Sequence, residues 1–200
     1  MLAGCGPRAS DLVRPVGMPR VGTYVLVASD PAPRVPQGFR TVPCNHGLSC
    51  QVLVPPNWHH LVTDWKGTVG VFVARESLEP PVPWFQTGLT VNVIQQVSRK
   101  AHLSPARYAE QYLERKRSEA RSSHDPVVRT PSHDLWIVGL TTELAGPHDP
   151  EPVRRHHRVI ANEATDTVYL VDFEAPVSQW SEAWPLGRVL LDHLAIDLRD

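Results

Sequence analysis

Two adjacent histidine pairs, His59–His60 and His156–His157, are the densest grouping of chemically active side chains in the chain. Imidazole binds zinc and copper, and one ring from each pair with the carboxylate of Asp64 or Asp172 would supply the ligands of a metal-dependent hydrolase. The spacing argues against that chemistry. Neighbouring residues on a strand point to opposite faces, so each pair offers a face only one ring, and neither H-E-x-x-H nor H-x-H occurs. We therefore expect no metal and no cofactor. Ser123-His124-Asp125 and Ser132-His133-Asp134 contain the residue types of a hydrolase triad. Consecutive side chains cannot line up nucleophile, base and orienting acid, and no G-x-S-x-G elbow is present. Asp125 before Pro126 reads as turn chemistry instead, and no catalytic residue is assigned.

Cys44 and Cys50 bracket a turn-forming insert with Gly47 at its centre. A disulfide between them is geometrically easy and would contribute about 2 kcal/mol in an oxidising compartment. The third cysteine, Cys5, ends the run Leu2-Ala3-Gly4-Cys5, which resembles the lipobox of bacterial lipoproteins, where cleavage precedes a lipid-bearing cysteine. The charged and apolar stretches of a full export signal do not stand before Leu2, so this reading places the native start further upstream. With Met1 as the start, the same chain is a cytosolic adaptor or chaperone. Trp58, Trp65 and Trp84 stand near turn-forming stretches and, with His59 and His60, make the candidate surface for a protein, small-molecule or lipid partner. Trp136, Trp180 and Trp184 fall at core spacing.

Two hundred residues at 42% hydrophobic can bury one substantial core. We divide the chain into a flexible tether over 1–21, rich in Pro, Gly and Arg, and a single domain over 22–200. Twenty basic against twenty-one acidic residues give a net charge of -1, which removes the electrostatic footprint of a nucleic-acid binder. No apolar run reaches the roughly 18 residues that would suggest a spanning helix, so any membrane attachment is through the lipid. A monomer is expected. Seventeen of the twenty basic residues are Arg, a bias we assign to a GC-rich genome and not to binding.

The elements that must position these residues centre on Gly88 to Lys116. Leu89, Val91 and Val93 alternate with Thr90, Asn92 and Ile94 as a half-buried strand. After a polar link, Ser104 as N-cap and Pro105 at the first helical position open an amphipathic helix carrying Tyr108 and Tyr112 one turn apart. Strands are also expected over Thr23–Ala28 at an edge, Cys50–Val54 and Gly70–Ala74. The segments between them, including His59, His60 and Trp65, read as loops. Leu135–Leu144, apolar on both faces, should be a central strand. Val153–Asn162 and Thr167–Glu174 should form a hairpin across the short loop 163–166. The last segment, Val177–Asp197, reads as a helix that breaks at Pro185.

This order resembles the PsbP-like fold, an α+β arrangement in which an antiparallel β-sheet is flanked by α-helices as an α-β-α sandwich. The resemblance rests on Val52 to Trp58 (VLVPPNW), on GLTVNVIQQV followed by SPARYAEQYL, and on TVYLVDFEAPVSQW with LGRVLLDHLAIDL. It implies an accessory, scaffolding or ligand-binding role and transfers no active-site residue. The function expected is a non-catalytic lipoprotein-like binding or accessory module, lipid-anchored on the outer side of the bacterial cell envelope.

Overall fold

The computed structural model describes residues 24–25, 34–45, 48–65, 68–79, 84–124, 127–132, 135–145 and 151–196. Cys5, the tether over 1–21, residues 80–83, Asp125, His133 and Asp134 lie outside these residues, as does the side chain of Trp65. The elements in order are β1 (Tyr24–Val25), β2 (Arg40–Asn45), β3 (Leu48–Val54), β4 (His59–Trp65), β5 (Thr68–Ala74) and β6 (Gly88–Gln95). Then come α1 (Val97–Ala101), α2 (Pro105–Glu119), β7 (Ser122–Ser123), β8 (Val127–Ser132), β9 (Leu135–Leu144), β10 (Val153–Asn162) and β11 (Thr167–Pro176). A short 3-10 turn leads into α3 (Trp180–Asp192), and β12 (Ala195–Ile196) follows.

An eight-stranded sheet, β4-β5-β6-β11-β10-β9-β7 with β8 also on β9, forms the centre, and every strand pair in it is antiparallel. Alternation decides its two faces. Val97, Ala109, Tyr112 and Leu113 of the α1–α2 segment pack on Val138, Leu140, Val159 and Leu170. On the opposite face, α3 and a four-stranded sheet, β1-β12-β3-β2, enclose a larger core around Val71, Val91, Phe173 and Leu190. The antiparallel α+β class expected from the sequence is the one observed, with a small second sheet sharing one face with α3.

Local signals behave as their chemistry requires. Ser104 caps α2, its Oγ accepting from the Arg107 N–H at 3.4 Å, with Pro105 as the first helical residue. The hairpin loop at 163–166 does more than join β10 to β11. The Asp166 carboxylate accepts from the Ser98 N–H at 2.9 Å and its hydroxyl at 2.6 Å, and Glu163 Oε1 accepts from the Ala106 N–H at 2.9 Å. One turn therefore holds the N-termini of both α1 and α2. Cys44 and Cys50 are joined as a disulfide with Cα atoms 5.3 Å apart, and both are buried in the β2–β3 hairpin.

Four expectations change. His59–Trp65 is not loop but the edge strand β4, paired with β5 from His59↔Ala74 to Trp65↔Thr68. Its polar residues hide the strand pattern because an edge strand has only partial cover. β2 and the short α1 also replace segments read as irregular. Leu135–Leu144 is paired along both sides and covered on both faces as expected, Leu135 and Ile137 serving one core and Val138 and Leu140 the other, but it stands one strand in from the edge, with β7 and β8 outside it. Finally, α3 runs unbroken through Pro185. The bond that Pro185 cannot make belongs to the carbonyl of Ser181, and both residues are exposed, so water can satisfy it.

Candidate functional site

The hairpin register sets the first candidate. A four-residue loop pairs Asn162 with Thr167, which places His157 opposite Asp172 and Arg155 opposite Glu174 on the face beneath α2. His157 Nδ1 lies 2.7 Å from Asp172 Oδ1, and His157 Nε2 lies 2.9 Å from Thr142 Oγ1. Tyr112 of α2 donates its hydroxyl to Asp172 Oδ2 at 3.1 Å. Arg155 and Glu174 form an ion pair beside this group. Burial pushes the Asp172 carboxyl up, but the His157 hydrogen bond, the His157 and Arg155 charges and the Tyr112 hydroxyl outweigh it and hold the group below the usual carboxylate value. Burial, and then the Asp172 carboxylate, keep the Tyr112 phenol protonated far above its ordinary range.

Asp172, His157 and Thr142 thus have the carboxylate–imidazole–hydroxyl connectivity of a nucleophilic triad. Access decides against catalysis there. Thr142 and His157 are both 0% exposed, so the hydroxyl has no open side on which a substrate carbonyl could sit. The arrangement satisfies buried polar atoms and ties α2 to the sheet.

His156 faces the other way, as alternation demands. Its Nδ1 is 2.9 Å from Thr141 Oγ1 and its ring is 4.8 Å from that of Trp184, which stacks on Trp180 at 5.0 Å. Burial, then the charges of Arg158 and His157, lower its pKa to about 4. An unfolded histidine titrates near 6.5, so between about pH 6.5 and about pH 4 the unfolded chain takes up a proton that the folded chain refuses. Stability is complete above that window and falls as pH drops through it, by up to about 3 kcal/mol. His156→Gln should remove most of this dependence. Urea unfolding at pH 7.0 and 4.5 measures it, and an equal pH-dependent loss in the variant would contradict the assignment.

The histidine pairs do not converge. Three strands, β5, β6 and β11, separate β4 from β10, about 19 Å across the sheet. Among the described residues, no three His, Cys, Asp or Glu side chains are grouped to hold a metal ion. His59 and His60 are exposed, with Arg40 Nη2 3.0 Å from His60 Nδ1. Trp84 is 51% exposed, whereas Trp58 packs against the larger core. None of Trp58, His59, His60 and Trp84 lines the cleft between α2 and β9.

A concave site lies elsewhere. Between α2 and β9 is a half-open cleft of about 210 Å³ lined by Leu113, Trp136, Val138 and Leu140, with Glu110, Glu114 and Arg117 along its helical wall. Glu110 is engaged by Arg107 at 2.5 Å, and Glu114 is exposed. Trp136, placed at core spacing by its sequence position, is half-buried here and forms part of the opening. The signal that could have found it is the run Trp136, Val138, Leu140 on one face of a strand near the sheet edge, where a single helix cannot cover every apolar row. Such a site can bury an apolar group beside carboxylates.

The fold class is therefore an antiparallel α+β sandwich, with α1 and α2 on one face and α3 with a small sheet on the other. No protein-family model matches the chain, and no curated protein sequence matches it. Among solved structures it is similar to the solution structure of cyanobacterial PsbP (CyanoP) from Synechocystis sp. PCC 6803, at 12% identity, covering 80% of this chain and 92% of that one with a TM-score of 0.47. It is also similar to the crystal structure of the Saccharomyces cerevisiae Ran-binding protein Mog1p, at 12% identity, covering 79% of this chain and 95% of that one with a TM-score of 0.48. Identities this low transfer no residue.

Proposed function

We propose that this protein is a non-catalytic binding module that holds a partner polypeptide in the α2–β9 cleft through an apolar side chain flanked by a basic residue. One contrast carries this reading: the triad-like cluster is sealed, while the cleft between α2 and β9 is half-open, apolar at its base and walled by two carboxylates, Glu110 and Glu114, against one guanidinium, Arg117. An apolar anchor would fill the space against Trp136, and a neighbouring Lys or Arg would meet the carboxylates. The module works in an oxidising compartment, tethered by lipid at Cys5. The Cys44–Cys50 disulfide and the Leu2-Ala3-Gly4-Cys5 box support that placement.

Fluorescence anisotropy with two labelled peptides, sharing a Leu-Phe-Leu centre and flanked by either lysines or glutamates, tests the recognition. The lysine-flanked peptide should bind at least about tenfold more tightly, and Glu114→Lys should erase most of the difference. Equal affinity for both peptides, or binding by neither, overturns the reading.

A further inference from the structure

A row of valines crosses the larger sheet and runs off its edge. Val171 of β11, Val91 of β6 and Val71 of β5 stand opposite one another in register and are each 0% exposed; the next residue in the row, Val62 of β4, is 38% exposed. His60 and Asp64 lie on the same face of β4, opposite Val73 and Val69 of the core, and both are exposed. Among the described residues, no strand pairs with the outer side of β4. The core face thus continues past its own cover along a seven-residue edge.

We propose that β4 pairs antiparallel with β4 of a second copy about a two-fold axis at Val62, making a homodimer with one continuous sheet. This departs from the monomer expected at the outset. The edge itself selects the occupant. A two-fold axis normal to the sheet keeps each side chain on its own face, so only registers centred on a residue are allowed. Centring on Val62 engages all seven residues, sets Val62 against its symmetry mate and places Asp64 of each copy opposite His60 of the other. Arg40 already holds that histidine, so an Arg40–His60 pair faces an Asp64 carboxylate twice across the interface. Shifting the centre to Leu61 or Thr63 loses both charge matches. The valine row then becomes continuous, and the exposed backbone groups of both edges find partners.

Sedimentation equilibrium of the full chain over micromolar to millimolar concentration tests this. The wild type should show a monomer–dimer equilibrium. Asp64→Arg, which sets a guanidinium in place of the carboxylate against Arg40 and His60 twice, should weaken it at least about tenfold. Arg40→Asp combined with Asp64→Arg should restore it. Hydrogen exchange on the wild type gives a reading independent of how the variants fold: amides on the outer edge of β4 should become protected as concentration rises, while those of β7 should not change. A wild-type chain that stays monomeric throughout the range overturns the proposal. So does a dimer that Asp64→Arg leaves intact, or β4 protection that ignores concentration.

Discussion

Replacing Asp172 with alanine should lower folding stability by about 3 kcal/mol, since each orphaned buried polar group costs about 1–3 kcal/mol. Its carboxylate partners His157 Nδ1 at 2.7 Å and accepts from Tyr112 Oη at 3.1 Å, in a setting where His157 has no exposed surface. Alanine would leave the imidazole with one unpaired nitrogen and the tyrosine of α2 with no acceptor. Asn keeps one oxygen and the same shape, so Asp172→Asn should lose about half as much. Tyr112→Phe removes only the helix's polar tether and should cost about 1 kcal/mol. Urea titrations measure all three as shifts in midpoint at constant slope. A loss below about 1 kcal/mol for Asp172→Ala would mean that apolar packing alone fixes α2 on the sheet.

The second large effect sits on the opposite face. Phe173 is 0% exposed, and its ring lies 5.9 Å from that of Trp180 and 6.1 Å from that of Trp184. Phe173→Ala should cost about 4 kcal/mol through lost burial and the cavity left between β11 and α3. The same contact explains Gly187. A Cβ there would come within 2.5 Å of Phe173 Cδ1, so the helix approaches the sheet closely only because residue 187 has no side chain. Gly187→Ala should therefore cost about 1–2 kcal/mol, overpacking outweighing the better helix propensity of alanine. The two changes should couple. In a Phe173→Leu background the ring is gone, and Gly187→Ala should become neutral or stabilising. Thermal unfolding of the double-mutant cycle reads this directly, and strict additivity would contradict the packing account.

Much of this architecture was legible in the residues. Alternation over Gly88–Gln95, the Ser104-Pro105 start of α2 and the short loop between β10 and β11 each carry their own local signal, and each forms as expected. The edge strand β4 was not legible, because HHLVTDW has partial cover and no clean two-residue period. Pro185 misled for a similar reason: its effect depends on whether the freed carbonyl faces water, which sequence does not state. The buried cluster was half legible. Loop length fixes the β10–β11 register and hence the His157–Asp172 pair, but Thr142 and Tyr112 arrive through β9 and α2, whose alignment depends on tertiary packing. The Ser-His-Asp runs carried the residue types of a triad, yet a triad-like line formed from residues 15 or more apart. The cleft was hidden because Trp136 has the spacing of a core residue and lines an opening only because of where α2 ends its cover.

If the protein acts by binding at the α2–β9 cleft, the tryptophan indole N–H signals offer the most direct view. In an amide-proton correlation spectrum titrated with the lysine-flanked peptide, the Trp136 indole should shift first and furthest, together with backbone amides of Leu113, Glu114 and Leu140. The Trp84 indole and the amides of His59 and His60 should stay in place. Shifts centred on Trp84 and β4 with Trp136 unmoved, or no shifts at all, would contradict the account.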